Sequence, residues 1–450
     1  MIWLQRMLSK SIPSLVFALA IVWSSSPGAQ SRRIVITNVT VIDTVSARAL
    51  ANHTVIVDND RIVTVAPNGS VPAGAQRIDG RGKFLIPGLW DMHAHHQLTG
   101  EESLPVFVAA GVTGTRDMGG DLEAILSLRA RTASGELLGP TIVAAGPILD
   151  NRPAFPFRLT VRNADEGRTA VVTLKQRGVD LIKVHDGTPP DAYFAIADEA
   201  RRQGLPVAGH LPRGVTLEEA VAAGQRSIEH LAGLRLLNSC STPAGYSAEQ
   251  CRPLFALLAK AGVWQTPTLV NWRKMFTLDT PAGDQDGDHV AYLSAGVREF
   301  LAMNRKMSKI SEQGVRDMVQ AAKTAASQIS DMNRAGVGIL AGCDGMVAGF
   351  CIHDELALMV EGGMSAAAAL QTATINPARY LGREAESGSV AVGRRADLVL
   401  LDANPLDDVH AVSRIAAVVL GGRLLDRQAL DATLATARRR LQTEKPAPLK

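Results

Sequence analysis

The chain has 450 residues, 46% hydrophobic and 20% charged, a globular composition that excludes disorder and is long enough for one large domain or two smaller ones. Its formal net charge is +3 with lysines and arginines scattered along the length, which excludes a nucleic-acid partner or an anionic membrane surface as the basis of function. Both partners are set aside.

In chain order, Arg6 and Lys10 precede an apolar stretch over 12–23, which gives way to a small and polar run over 24–30. Basic, then apolar, then small residues is the layout of a secretory signal peptide, so 1–30 is read as a removable leader and the mature chain as periplasmic or secreted. An uncleaved anchor is the alternative. No other uncharged stretch approaches the roughly 18 residues that a span requires, so no stable membrane span is expected after cleavage. Export permits disulfides. Cys240 and Cys251 bracket one Pro- and Gly-containing segment and are the favoured pair, while Cys343 and Cys351 are expected as free thiols.

Over 31–87 the pattern is short and β-rich: RIVITNVTVID, TVIVDNDRIVTVAP and AQRIDGRGKFLIPG, separated by Asn, Asp, Gly and Pro turn signals. The same texture returns over 388–430 in SGSVAVGRRADLVLLD and AAVVLGGRLLD. Both termini are therefore expected to build one small β-sandwich domain, with 431–450 as a C-terminal helix and tail.

Between them, over 88–387, short apolar strands alternate with helical segments, the signature of βα units on a parallel sheet. Strands are read at LWDMH (89–93), VTGTRDM (112–118), TIVAAGPI (141–148), LIKVH (181–185), PVAGHL (206–211), SIEHL (227–231), WQTPTLV (264–270) and GILAGCD (338–344). Intervening helices such as DAYFAIADEARRQG and TLEEAVAAG stop at glycine. Eight units predict the α/β class and a (β/α)8 TIM-like barrel. The helical, polar stretch over 271–328 reads as a lid or an outer layer.

The first barrel strand runs into PGLWDMHAHH (87–96). In an extended strand His93 and His95 share one face, and Ala94 and His96 the other. Two imidazoles at that spacing can hold one cation, or can be a hydrogen-bonded pair at a strand end. Other residues must decide. Barrel active sites lie at the C-terminal ends of the strands, and there the pattern also places Lys183 (fourth strand), His210 (fifth), His230 (sixth) and Asp344 (eighth). Six ligand-type side chains converging on one rim point to a metal centre.

The stretches PGLWDMHAH, GVTGTRDMGG, VDLIKVHDG, GLPVAGHL, AGQRSIEHL, GVWQTPTL, AGCDG, ATINPARYLG and GSVAVGRRADLVLLDANPL together resemble the amidohydrolase superfamily. The similarity is to its imidazolonepropionase-like branch, which contains lysine-carboxylated binuclear-zinc dipeptidases, and it covers nearly the whole mature chain. It implies two divalent metal ions, zinc by preference: His93, His95 and Asp344 would hold the more buried one, and His210 and His230 the other. Lys183 would carry a carbon dioxide adduct bridging both, because an unmodified ammonium has no lone pair to offer a cation. The resemblance further implies outer contacts or substrate contacts for His185 and His353, rim support from Arg116 and Asp117, and a structural role for His96. Two departures stand out. Cys343 precedes Asp344 where relatives have threonine, and HDGTPP replaces a longer glycine-rich loop after Lys183, which loosens any transfer of dipeptide recognition.

The implied reaction is hydrolysis of an amide bond in a small peptide, N-acyl amino acid or cyclic amide. A metal-bridged hydroxide would attack, and Asp344 would carry the proton to the leaving nitrogen. The same centre would also serve a lactone, ester or organophosphate hydrolase. From another class, a non-catalytic metal-stabilised binding protein is the rival. A nucleophilic cysteine enzyme has only Cys343 in its favour, and no GxSxG motif appears. Association into a homo-oligomer is left open.

Overall fold

The β-rich segments at the two ends of the chain meet along one seam: Phe84–Pro87 runs antiparallel to Leu398–Leu401, with Ile86 opposite Val399. The computed structural model describes residues 33–152, 157–232, 235–242, 245–278, 289–345 and 347–444. The leader expected over 1–30 lies outside the described residues. From the seam, hydrogen bonding continues through Arg33–Asp43, Arg48–Asp58 and Arg61–Pro67 on one side and through Ile415–Leu420 and Arg423–Asp426 on the other. Alternate residues, among them Val55, Val57, Leu398 and Leu400, face one core, as a two-residue period requires.

With Gln76–Asp79, which runs parallel to Arg33–Asp43, these strands form a single, continuous eight-stranded sheet. It curls, because the Ile62 amide donates to the Arg394 carbonyl (2.9 Å) and the Ala396 amide to the Asp60 carbonyl (2.7 Å). The far hairpin thus returns to the strand at the seam.

The middle of the chain supplies parallel strands β1 (Leu89–Ala94), β2 (Val112–Asp117), β3 (Thr141–Ala144), β4 (Ile182–Val184), β5 (Val207–Gly209), β6 (Ser227–Glu229) and β7 (Trp264–Thr266). β1 to β3 pair in sequence, as do β4 to β7. The two groups join on both sides. The third segment breaks after Ala144 and resumes as Ile148–Asp150, which pairs with β4 through Leu149 and Val184. On the other side, 338–344 forms only an isolated parallel bridge from Ile339 to Gln265. Even so, the Met92 amide donates to the Ala341 carbonyl (2.8 Å) and the Asp344 amide to the His93 carbonyl (2.7 Å). The eighth segment therefore lies beside β1 without a regular ladder.

Gly342 permits that approach. A Cβ there would lie 2.8 Å from the Cβ of His93 and 2.7 Å from a methyl of Thr266, so only glycine fits.

Over the strand ends lie α1 (Leu269–Lys274), α2 (Ala295–Ser308) and α3 (Glu312–Arg334), with α4 (Phe350–Glu361) following the eighth segment. The polar 271–328 stretch thus supplies helices whose inner faces line a cavity. The C-terminal helix α5 (Arg427–Thr443) starts four residues earlier than expected, because the Asp426 side chain accepts from the Ala429 amide as its N-cap. It buries Ala437 and Leu441 against Val106. No helix of the described residues is long and apolar enough to cross a membrane.

Candidate metal centre

His93, His95, Lys183, His210, His230 and Asp344 all line one cavity of about 590 Å³ at the C-terminal ends of the strands. Each imidazole of the first group is fixed by its outer nitrogen. His93 Nδ1 contacts Glu229 (2.8 Å), His95 Nδ1 the Gly119 carbonyl (2.9 Å) and His230 Nδ1 the Thr268 hydroxyl (2.6 Å). A carbonyl only accepts, so His95 Nδ1 carries a proton, and in the neutral ring the Nε2 lone pair faces inward. The Nε2 atoms of His93 and His95 lie 3.4 and 3.3 Å from Asp344 Oδ1, and that of His230 3.8 Å from Oδ2. Lone pairs and a carboxylate converging on one point repel each other unless a cation lies among them. This donor set fits a divalent metal, and the outer partners are of the kind that orient metal-bound histidines.

The electrostatics agree. Burial pushes His230 down to about 4 and holds His93 well below its ordinary value, with the Lys183 charge adding to it, so both are neutral at neutral pH. Burial lowers His95 too, but the Asp344 carboxylate overrides it and leaves that imidazole raised. For Asp344, burial alone would raise the carboxyl, yet His230, His93 and His95 hold it far below the usual range. Burial brings Lys183 down to about 8, and its Nζ stands 3.5 Å from His93 Nε2.

His210 belongs to a second cluster. Its ring stacks on that of His185 (centroids 3.7 Å apart), its Nδ1 is 3.8 Å from Asp186, and the His230 ring lies 4.8 Å away. His185, Asp186 and His210 could together hold an ion, as could His93, His230 and Asp344. His185 thus stands beside the second ligand position, where it also contacts Asp186, Asp150 and Arg152.

The structure does not bring His353 to the cavity. That residue is buried in α4 with Nε2 on the Ala110 carbonyl (2.8 Å), because its helix packs behind the strand ends. His96 points away as its parity requires, with Nε2 on the Thr115 hydroxyl (2.7 Å). Arg116 is fully buried and pairs with Glu229 (2.9 Å), while Asp117 accepts the His96 amide (2.8 Å). The free thiols are also corrected: Cys343 is bonded to Cys351 in the first turn of α4, besides the bond between Cys240 and Cys251. A disulfide offers no thiolate, so the cysteine-nucleophile alternative loses its residue.

Sequence reasoning missed Glu229, Thr268 and Asn271. Glu229 is a fully buried acid inside the apolar strand SIE, which was its one available signal. Asn271 opens the lid, and its amide donates to Asp344 Oδ2. The stretch His230–Ala232 adopts three successive left-handed residues (φ 56°, 51° and 54°), strain of the kind that gathers at functional sites and that composition does not reveal.

Inward histidines and an acid on parallel strand ends are a donor set that suits metal-assisted hydrolysis. Residues 84–425 match the model of the amidohydrolase family, and the chain belongs to that family. It is an enzyme, a hydrolase acting on carbon–nitrogen bonds. It is 26% identical over 438 residues to a 5-methylthioadenosine/S-adenosylhomocysteine deaminase of Symbiobacterium thermophilum, covering 86% of this chain and 90% of that one. It is 26% identical over 403 residues to an imidazolonepropionase of Rubrobacter xylanophilus, covering 82% and 90%. Among solved structures, a Xaa-Pro dipeptidase with methionine bound in its active site shares the fold at a TM-score of 0.66 and 21% identity, covering 88% of this chain and 100% of that one.

Proposed function

We propose that this chain is an exported amidohydrolase on a (β/α)8 barrel that uses two divalent cations, zinc by preference, to cleave an amide bond of a small peptide, N-acyl amino acid or cyclic amide. The observation that carries the reading is the inward convergence of His93, His95 and His230 on Asp344, each with its outer nitrogen already engaged. His93, His95 and Asp344 would hold one cation, and His210 with His230 the other, with His185 beside them. Lys183 as a carbon dioxide adduct would join the two. Cations bound there would polarise the scissile carbonyl and bring the pKa of a water close to neutrality.

The chain's own groups supply the rest. Asp344 is held far below the usual carboxylate range and is ionised at neutral pH, so its carboxylate can take a proton from the attacking water and hand it to the leaving nitrogen. Asn271 donates to Oδ2 of that carboxylate and fixes its orientation. Arg116 and Glu229 hold His93 from behind. With Lys183 brought down to about 8 by burial, a fraction of the amine is uncharged near neutral pH, as reaction with carbon dioxide requires.

The test is metal analysis of the purified chain combined with a hydrolysis screen of the zinc-loaded protein against dipeptides, N-acyl amino acids, lactams and lactones. About two metals per chain and turnover of amides are expected, with Asp344→Asn losing turnover while keeping most of its metal. Lactone turnover alone would move the reading to ester-type substrates. A chain that binds no metal would refute it. Mass spectrometry of the exported protein should show the leader removed near residues 26–31 of the sequence.

A further inference from the structure

The cavity has two unlike halves. Its floor is the polar cluster described above, and its roof is built by the lid. From α1 and the residues just after it come Trp272, Met275 and Phe276, from α2 comes Phe300, and Ile310 and Met318 complete the surface. The charged side chains among the described lining residues, apart from histidines, are Lys183, Asp344 and Asp186. The first two belong to the metal centre, and Asp186 is paired with Arg152 and faces Arg213 at 3.6 Å. So among the described residues neither an arginine nor a second lysine lines the cavity to neutralise a carboxylate, and no unpaired acid meets an ammonium.

What the roof does offer is neutral. Apart from the histidines, its polar uncharged lining residues are Asn271, Asn304 and Ser308. Such side chains can hydrogen-bond a neutral polar group but cannot balance a charge. A charged terminus under the same roof would lose its hydration without meeting a counter-charge among the described lining residues.

Building on the hydrolase reading above, we propose that the substrate is an uncharged amide carrying a bulky apolar group of aromatic size. That group packs under the lid against Trp272, Phe276 and Phe300. Free dipeptides, charged at both ends, are poor substrates.

Four compounds test this with the zinc-loaded enzyme. 3-Phenylpropanoylglycinamide is uncharged and aromatic, phenylalanylglycinamide adds only an ammonium, 3-phenylpropanoylglycine ends in a carboxylate, and acetylglycinamide lacks the ring. The first should exceed each of the others in kcat/KM by about tenfold or more, a conservative figure for a whole ring or an uncompensated charge in an apolar pocket. Phe300→Ala should lower kcat/KM for it by about tenfold, mainly through KM, and Phe300→Leu should recover part of the loss. Equal turnover of either charged analogue, or of acetylglycinamide, would overturn the proposal. Calorimetric Kd values on the zinc-loaded Asp344→Asn chain should follow the same order. If that order holds but none of the four is hydrolysed by the native chain, the hydrolase reading falls and the pocket assignment stands. If the order fails, the pocket assignment falls.

Discussion

At the level of single residues, the centre depends on side chains that never touch the cavity's contents. Glu229 is the clearest case: it accepts two hydrogen bonds from Arg116 (2.9 and 3.0 Å) and contacts His93 Nδ1 (2.8 Å), with both partners fully buried. In Glu229→Ala, Arg116 becomes a buried charge without its counter-ion, a change that costs about 3–5 kcal/mol. His93 also loses the group that aims its Nε2, which lowers metal affinity by roughly 10- to 100-fold. Urea unfolding and zinc titration measure the two effects separately, and a variant that unfolds as the native chain does would contradict the first. Lys183 yields a second prediction. With carbon-13-labelled bicarbonate, the zinc-loaded protein should show a carbamate carbon resonance that is absent in Lys183→Arg, since a guanidinium stays protonated. That His93, His95, His210, His230 and Asp344 meet at one cavity was legible because ligand-type residues are conspicuous at the ends of apolar strands. Glu229 was not, because a lone acid in a strand looks the same whether it faces solvent or a buried guanidinium.

Among the elements, seven of the eight strands in the middle of the chain were legible from apolar runs closed by glycine and turn signals, and the eighth was legible as a segment but not in its form. Gly342 brings 338–344 against His93 so closely that a regular ladder gives way to a few hydrogen bonds, and Asp344 then turns left-handed (φ 59°). Periodicity marks which residues are buried and carries no information on such a close approach. The lid follows the same logic. Its helices were legible, but their cavity-facing side was not, since that face opposes strand ends far away in sequence. One cap ties the lid down: Ser294 accepts from the Val297 amide (3.1 Å) at the start of α2 and donates to the Leu98 carbonyl (2.8 Å) beyond β1. Ser294→Ala removes the cap and leaves a buried carbonyl unpaired, so a loss of about 1–2 kcal/mol is expected. Because α2 carries Phe300 and Asn304, KM should rise with kcat little changed, and steady-state kinetics on a hydrolysed amide beside thermal unfolding would check both.

At the scale of the whole molecule, the chain closes on itself twice, through the sheet seam between Phe84–Pro87 and Leu398–Leu401 and through the two disulfides. That both termini build one β-domain was legible from their shared β texture. That the sheet is single and curled was not, because alternation assigns each strand a face and says nothing of its neighbours. The disulfides connect this architecture to the proposed export. They close segments of 11 and 8 residues, and the chain-entropy relation gives each about 2–3 kcal/mol of stabilisation. Cys343 sits directly before Asp344, so the second bond also anchors the proposed proton carrier to α4. A chain produced without residues 1–30 in a reducing cytosol should therefore carry four titratable thiols when denatured, unfold more easily by about that sum, and lose more activity than its stability at assay temperature explains. The exported chain should carry none. Thiol titration with urea unfolding on the two preparations decides it: matching unfolding curves despite different thiol counts would show that the bonds constrain neither the fold nor the segment that ends in Asp344.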